Sequence, residues 1–304
     1  MIHSNFPTHD VGRMYNHNPA LNSAPPQQAF SGQFNFGGLS LSPQLGQLIN
    51  QLLQQLSSLQ NNQGNIRNSH CSNGHQTDNS PGRGRGDAHG AGGRQRVQSA
   101  QVFNTPQGAN TPGPALNGDV YEFTVDASRR GRNLSFATML AATNDQFIAP
   151  DSRGIPLYDR QGNPLEGDIT HLLAVWDAGT EANEPVGSGA NQPANQAGPD
   201  TGPADPQNYV RRSEEGVGPV DQLVKASVQH NGNGSFTVRI ENISGQNGGN
   251  EIPLAPGVAA THSKNSSPLF NDMRMDRGQG LEALAEDGDP MQLLQSLQAR
   301  QTRY

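Results

Sequence analysis

Cysteine is all but missing from this sequence. Cys71 is the only one in 304 residues, so no disulfide can form within the chain and the fold has to hold without one. Long apolar runs are missing too. No stretch approaches the roughly 18 consecutive apolar residues of a membrane span, and the opening "MIHSNFPTHDVGRMYNHNPALNSAPP" has no apolar h-region, which predicts neither a spanning helix nor a classical signal peptide. Export would then need a non-classical route. Apolar residues make up 32% of the chain and aromatic ones 5%, against 36 Gly and 22 Pro. Stretches of that composition cannot offset the entropy of ordering themselves, so one core with long tails is expected rather than two domains. Lysine is absent from residues 1–116, which carry six Arg and three Asp, whereas 117–250 hold seventeen acids against nine bases. An acidic core argues against nucleic acid as a partner and favours a cation. Catalytic signatures are absent as well: no Gly-x-Ser-x-Gly elbow, no His-Glu-x-x-His and no phosphate loop occurs, which points away from an enzyme.

Residues 1–116 read as a disordered low-complexity arm. It is interrupted by "SPQLGQLINQLLQQLSSLQ" at 42–60, where Ser42 is a good N-cap and Pro43 a good first helical residue. Leu45, Leu48, Ile49, Leu52, Leu53 and Leu56 recur at i, i+3, i+4 and i+7, which predicts an amphipathic helix with a partner-binding face. That face serves docking on the core, self-association, or recognition during secretion. The linker after it carries Arg85-Gly86-Asp87, the tripeptide integrins read, and His70, Cys71 and His75, whose spacing fits no structural zinc pattern.

From Asn117 the pattern has a period of two. In "DVYEFTVDA" Tyr121, Phe123 and Val125 alternate with polar residues, as in a half-buried strand. "LSFATMLAATND" and "THLLAVWD" are more continuously apolar and read as central strands. "DQLVKASVQHNGNGSFTVRIENIS" predicts a hairpin turning at Asn-Gly, and "LAPGVAATHSK" a last strand. His171 and His230 are placed in strands, with structural roles. No βαβ alternation appears, so the predicted class is all-β. After the sandwich at 117–262, a C-terminal helical tail occupies 263–304: Asp289-Pro290 starts a helix, and Met291, Leu293, Leu294 and Leu297 give it a short apolar face.

The acids gather at two predicted strand ends. Asp177 closes "LLAVWD" and Glu181 follows across Ala178-Gly179-Thr180, while "ATNDQFIAPD" supplies Asp145 and Asp151. Hard cations take six to eight oxygens from carboxylates, carbonyls and water. Should the two strand ends lie side by side, they would make an oxygen-lined rim; solvated acidic loops are the alternative.

The segments "LSFATMLAATNDQFIAPDSRGIPLYD" and "GDITHLLAVWDAGTEANEPVGSGANQPANQAGPDTG", with the later hairpin, resemble the spondin N-terminal domain in its short bacterial form, over residues 117–262. The resemblance implies a C2-like antiparallel β-sandwich. It also implies a bound Ca²⁺ and the extracellular-matrix and cell-adhesion roles of the animal members. Carried over residue by residue, Asp145 matches the aspartate of the first motif and Asp177 the one opening "DAGT". Glu181 takes the last acidic position, where animal members tend to have Asp; the Ala178 carbonyl would be a main-chain ligand and Asp151 a ligand or second-shell group. Thrombospondin-type repeats, a reelin-like domain and disulfides are absent here, and residues 1–116 match nothing in that family.

The function expected from these readings is a non-catalytic, calcium-binding adhesion, matrix or assembly protein at the cell surface or outside the cell. Two alternatives remain open. One is a subunit of a homo-oligomer, filament or surface layer built through the N-terminal arm and the C-terminal helix. The other is a secreted effector or an unrecognised hydrolase.

Overall fold

In chain order the strands are β1 Val97–Phe103, β2 Val120–Asp126, β3 Asn133–Leu140, β4 Gln146–Pro150, β5 Ile155–Pro156, β6 Gly167–Asp168, β7 Leu173–Asp177, β8 Arg211–Arg212, β9 Val224–Gly232, β10 Ser235–Asn242 and β11 Leu254–His262. Two short helices follow, α1 Leu281–Asp287 and α2 Met291–Ala299. This computed structural model describes residues 97–127, 132–246, 248–276 and 278–301. The helix expected at 42–60, the Arg85-Gly86-Asp87 tripeptide and His70, Cys71 and His75 lie outside the described residues.

The strands with alternating polarity form one antiparallel sheet, ordered β2-β10-β9-β6. Tyr121, Phe123 and Val125 of β2 face the core with Val224, Ala226 and Val228 of β9 and Phe236, Val238 and Ile240 of β10. The β9–β10 hairpin turns at Asn233 and Gly234, whose φ angles are 52° and 80°. Two left-handed residues in a row give the turn whose twist matches the strands, and an Asn-Gly pair adopts it at little cost.

The more apolar strands β3, β4, β7 and β11 form the middle of the second antiparallel sheet, β1-β11-β3-β4-β7-β8, with β5 beside β3. Every residue of β3, β4, β7 and β11 is buried, because both faces of this sheet are covered. Leu134, Phe136, Ile148 and Val175 pack towards the first sheet. Ala137, Phe147, Trp176, Val258 and Ala260 point the other way, onto Leu269, Phe270, Leu281, Leu284, Leu293 and Leu297. A strand buried on two faces has no wet side to alternate with, hence its largely apolar sequence, broken in β3 by the buried Asn133, Ser135 and Thr138.

Two expected boundaries are corrected by this arrangement. Val97–Phe103, assigned to the arm, pairs with β11 along its length, and Phe103 stacks on Phe123 at 4.6 Å between ring centroids. Residues 263–304, read as a tail, supply a third layer over the second sheet. The N-cap position of α2 is Pro290 rather than Asp289, although Asp289 accepts from the Met291 amide at 2.8 Å at the helix start, and Leu293 and Leu297 are buried there. His230 lies in β9 as expected, against Tyr158 and Phe236. His171 is instead exposed in the 3-10 turn Thr170–Leu172.

Candidate functional site

Antiparallel pairing brings the two acidic strand ends together. Gln146 at the start of β4 is the register partner of Asp177 at the end of β7, so Asp145 and Asp177 reach the same rim. The Ala178 amide donates to the Asp145 carbonyl at 3.1 Å and ties the two chain segments beyond the ladder. Asp145, Asp177, Ala178 and Glu181 are all buried.

Each carboxylate of the rim has a different set of donors. Asp145 Oδ2 accepts from the Thr180 amide at 2.8 Å, the Thr180 hydroxyl at 3.2 Å and the Glu181 amide at 3.2 Å. Its Oδ1 is buried without a hydrogen-bond partner. Asp177 Oδ1 accepts from the Gly179 amide, and Oδ2 from Asn183 and from the Arg211 guanidinium, each at 2.8 Å. Arg211 also donates to Asp205 at 2.6 Å. Glu181 accepts from the Gly202 amide at 2.7 Å and from Asn144 at 3.3 Å. A Cβ on Gly202 would lie 2.4 Å from the Glu181 carboxyl carbon, so a larger residue there would have to displace this carboxylate.

Three buried carboxylates, Asp145, Asp177 and Asp205, therefore share one guanidinium, and Glu181, held by Gly202 and Asn144, adds a fourth negative charge beside them. The electrostatics follow from that excess. Burial first, and then the Asp177 charge, push the Asp145 carboxyl up to about 7, against three hydrogen bonds that pull it down. Burial also raises Asp177, with Asn183 and Arg211 opposing it. Glu181 is raised by burial as well, the Gly202 amide and Asn144 opposing.

Asp151 does not join the rim. It follows β4 where Asp145 precedes it, so the two are separated by the length of the strand, on the order of 20 Å. There it is exposed and forms an ion pair with Arg212, which also lies over the Trp176 ring.

Calcium fits part of this donor set. The orphan Oδ1 of Asp145 and the excess negative charge suit a cation, because a buried carboxylate oxygen without a donor costs about 1–3 kcal/mol. Asp177 fits less well, since the Arg211 guanidinium covers the oxygen that an ion would need and repels one nearby. Arg211, Asp205, Asn144 and Asn183 were not found from the sequence. Their types are ordinary, and Arg211 lies more than thirty residues beyond Asp177; only the β7–β8 pairing of Asp177 with Arg211 makes them neighbours.

The long polar loop that follows is held by its own side chains. Glu184 accepts from the Asn191 amide at 2.8 Å and from Asn144 at 3.1 Å. Gln192, itself buried, donates to the Pro185 carbonyl at 3.0 Å and accepts from the Gly189 amide at 3.1 Å. A polar loop with buried amide side chains as its scaffold needs no apolar face.

Ser135 and His262 form a nucleophile-and-base contact elsewhere, 2.8 Å between hydroxyl and Nε2. Both are buried, and Gly154 backs so closely on them that a Cβ there would meet the Ser135 hydroxyl at 2.6 Å and His262 Nε2 at 2.8 Å. No acyl group has room to reach that serine. Among the described residues no helix is long and apolar enough to cross a membrane. Searches of family models, curated proteins and solved structures return no match to this chain.

Proposed function

We propose that this chain is a non-catalytic, calcium-dependent C2-like β-sandwich of the spondin N-terminal type, acting in extracellular adhesion or assembly. The observation that carries the reading is Asp145. It is a fully buried carboxylate with one oxygen unpartnered, on a rim where three buried carboxylates share one guanidinium. A divalent cation relieves both the orphan oxygen and the charge excess. Non-catalytic use is supported by the enclosed Ser135–His262 pair and by rim carboxylates that hold amides and a guanidinium rather than lining a cleft. Acting outside cells, a module of this kind is expected to bind calcium with Kd on the order of 10⁻⁴ to 10⁻³ M.

Thermal melts of the full chain in chelator and in millimolar calcium test the reading. At a calcium concentration about 100 times Kd the ion adds roughly 2.7 kcal/mol, a rise of about 5–10 °C in Tm for a core of this size. Identical melts in the two buffers would overturn it.

A further inference from the structure

The third layer carries acids that the rim does not use. Glu282 and Glu286 lie four residues apart on α1, so they share one face of the helix. Asp200 comes from the long polar loop. Carboxylate oxygens of Asp200, Glu282 and Glu286 all lie within 4.8 Å of one another. Like charges at this spacing on a helix repel, and here a third carboxylate is added.

Glu286 is the second observation. It is 1% exposed, and both of its carboxylate oxygens are buried without a hydrogen-bond partner. The Thr180 hydroxyl lies beside it, but that hydroxyl has one proton and donates it to Asp145. The charges acting on Glu286 after burial are those of Glu181, Glu282 and Asp287, and those on Glu282 are Asp200, Asp276 and Glu181. Every one of them has the same sign. A buried, doubly orphaned carboxylate aimed at two others is a costly arrangement for an acid that merely packs.

We infer that Asp200, Glu282 and Glu286 hold a second calcium ion, distinct from the rim at Asp145, which clamps the long polar loop onto α1. Oxygens at 2.3–2.6 Å from one Ca²⁺ lie at most roughly 4.6–5.2 Å from each other, the spacing these three already have. Magnesium, at about 2.0–2.1 Å and strictly octahedral, needs a tighter set. Asp200 is exposed and gives the ion a path from solvent, with water completing its shell. Gln196, from the same loop, donates to Asp287 at 2.7 Å, so loop and helix are already in register before the ion arrives. The inference rests on the reading that calcium is this protein's ion.

The test is calorimetric titration of calcium chloride into the full chain, beside the Asp145→Asn, Asp200→Asn and Glu282→Gln variants. Asp200→Asn alters an exposed side chain and leaves folding intact, which keeps the test decisive should Glu282→Gln fold poorly. The expected result is two ions per chain, falling to one in Asp200→Asn, with the Asp145→Asn variant losing the other. Retention of a site by Asp145→Asn that disappears in Asp200→Asn supports the second ion even if the rim binds none. Unchanged stoichiometry and affinity in Asp200→Asn and Glu282→Gln, with loss in Asp145→Asn, overturns the second site and leaves the calcium reading standing. Complete loss in both sets of variants overturns the separateness of the two sites. No heat and no binding in the unaltered chain overturns both.

Discussion

Arg211 and Asp177 meet at 2.8 Å across the β7–β8 pairing, with Asp177 wholly buried and Arg211 one-fifth exposed. The guanidinium opposes the effect of burial on Asp177 and also pairs with Asp205. Arg211→Met keeps an apolar stem and removes that charge, leaving two carboxylates without their partner. Removing one member of a buried pair costs about 3–5 kcal/mol, and the exposure of Arg211 reduces this to roughly 2–3 kcal/mol. Urea unfolding in chelator is the measurement. Millimolar calcium is expected to recover part of the loss, because the ion then supplies the missing charge.

Stability in chelator is expected to fall as pH rises from about 5 to 8. Glu286 is raised from 4.5 to about 8, chiefly by burial, with the Thr180 hydroxyl opposing and the surrounding carboxylates adding to it. Asp145 is raised from 3.8 to about 7 and Asp287 from 3.8 to about 6, again by burial first. Between the ordinary and the raised values the folded chain holds protons that the unfolded chain has released, so each increment of pH favours unfolding. His262 acts in the opposite sense: burial lowers it from 6.5 to about 4, and its contribution grows with pH between those values. Three groups oppose one up to about pH 6, and above pH 6.5 only Glu286 and Asp145 still act. Denaturant midpoints across this range should record the net decline. Calcium should flatten the decline, since its ligands must be ionised to bind.

Removal of residues 281–304 is expected to abolish the soluble fold rather than trim a tail. Leu281, Leu284, Leu293 and Leu297 cover Phe147, Trp176, Val258 and Ala260, and deletion would leave an apolar sheet face in water. Expression of chains ending at residue 280 should yield aggregated or dye-binding material. A soluble, cooperatively unfolding product would show that the second sheet does not need this layer.

Much of the fold was legible because its signals are local. The alternation in β2, β9 and β10 belongs to strands with one wet face, and the Asn-Gly pair between β9 and β10 places the turn within a residue. Asp145 and Asp177 were legible together because each sits beside an apolar run, with Glu181 one turn beyond Asp177, and pairing of those runs was the only further step needed. Asp151 was misplaced for the same reason: strand ends read from a sequence do not say which end of the sheet they occupy, and Asp151 lies at the far end of β4. β1 was missed because Val97–Phe103 follows directly on an Arg- and Gly-rich linker and shows little contrast with it.

The sequence by itself determined the all-β class, the hairpin, the acidic character of the rim and the helix start at Asp289-Pro290, since all of these depend on residues close together in the chain. Tertiary structure alone decided that the C-terminal segment is a layer of the core, that Arg211 neutralises Asp177, and that Glu286 is buried against Asp200. Each of those depends on groups far apart in sequence, and the free energy of a charge is set by what lies around it, not by its place in the chain.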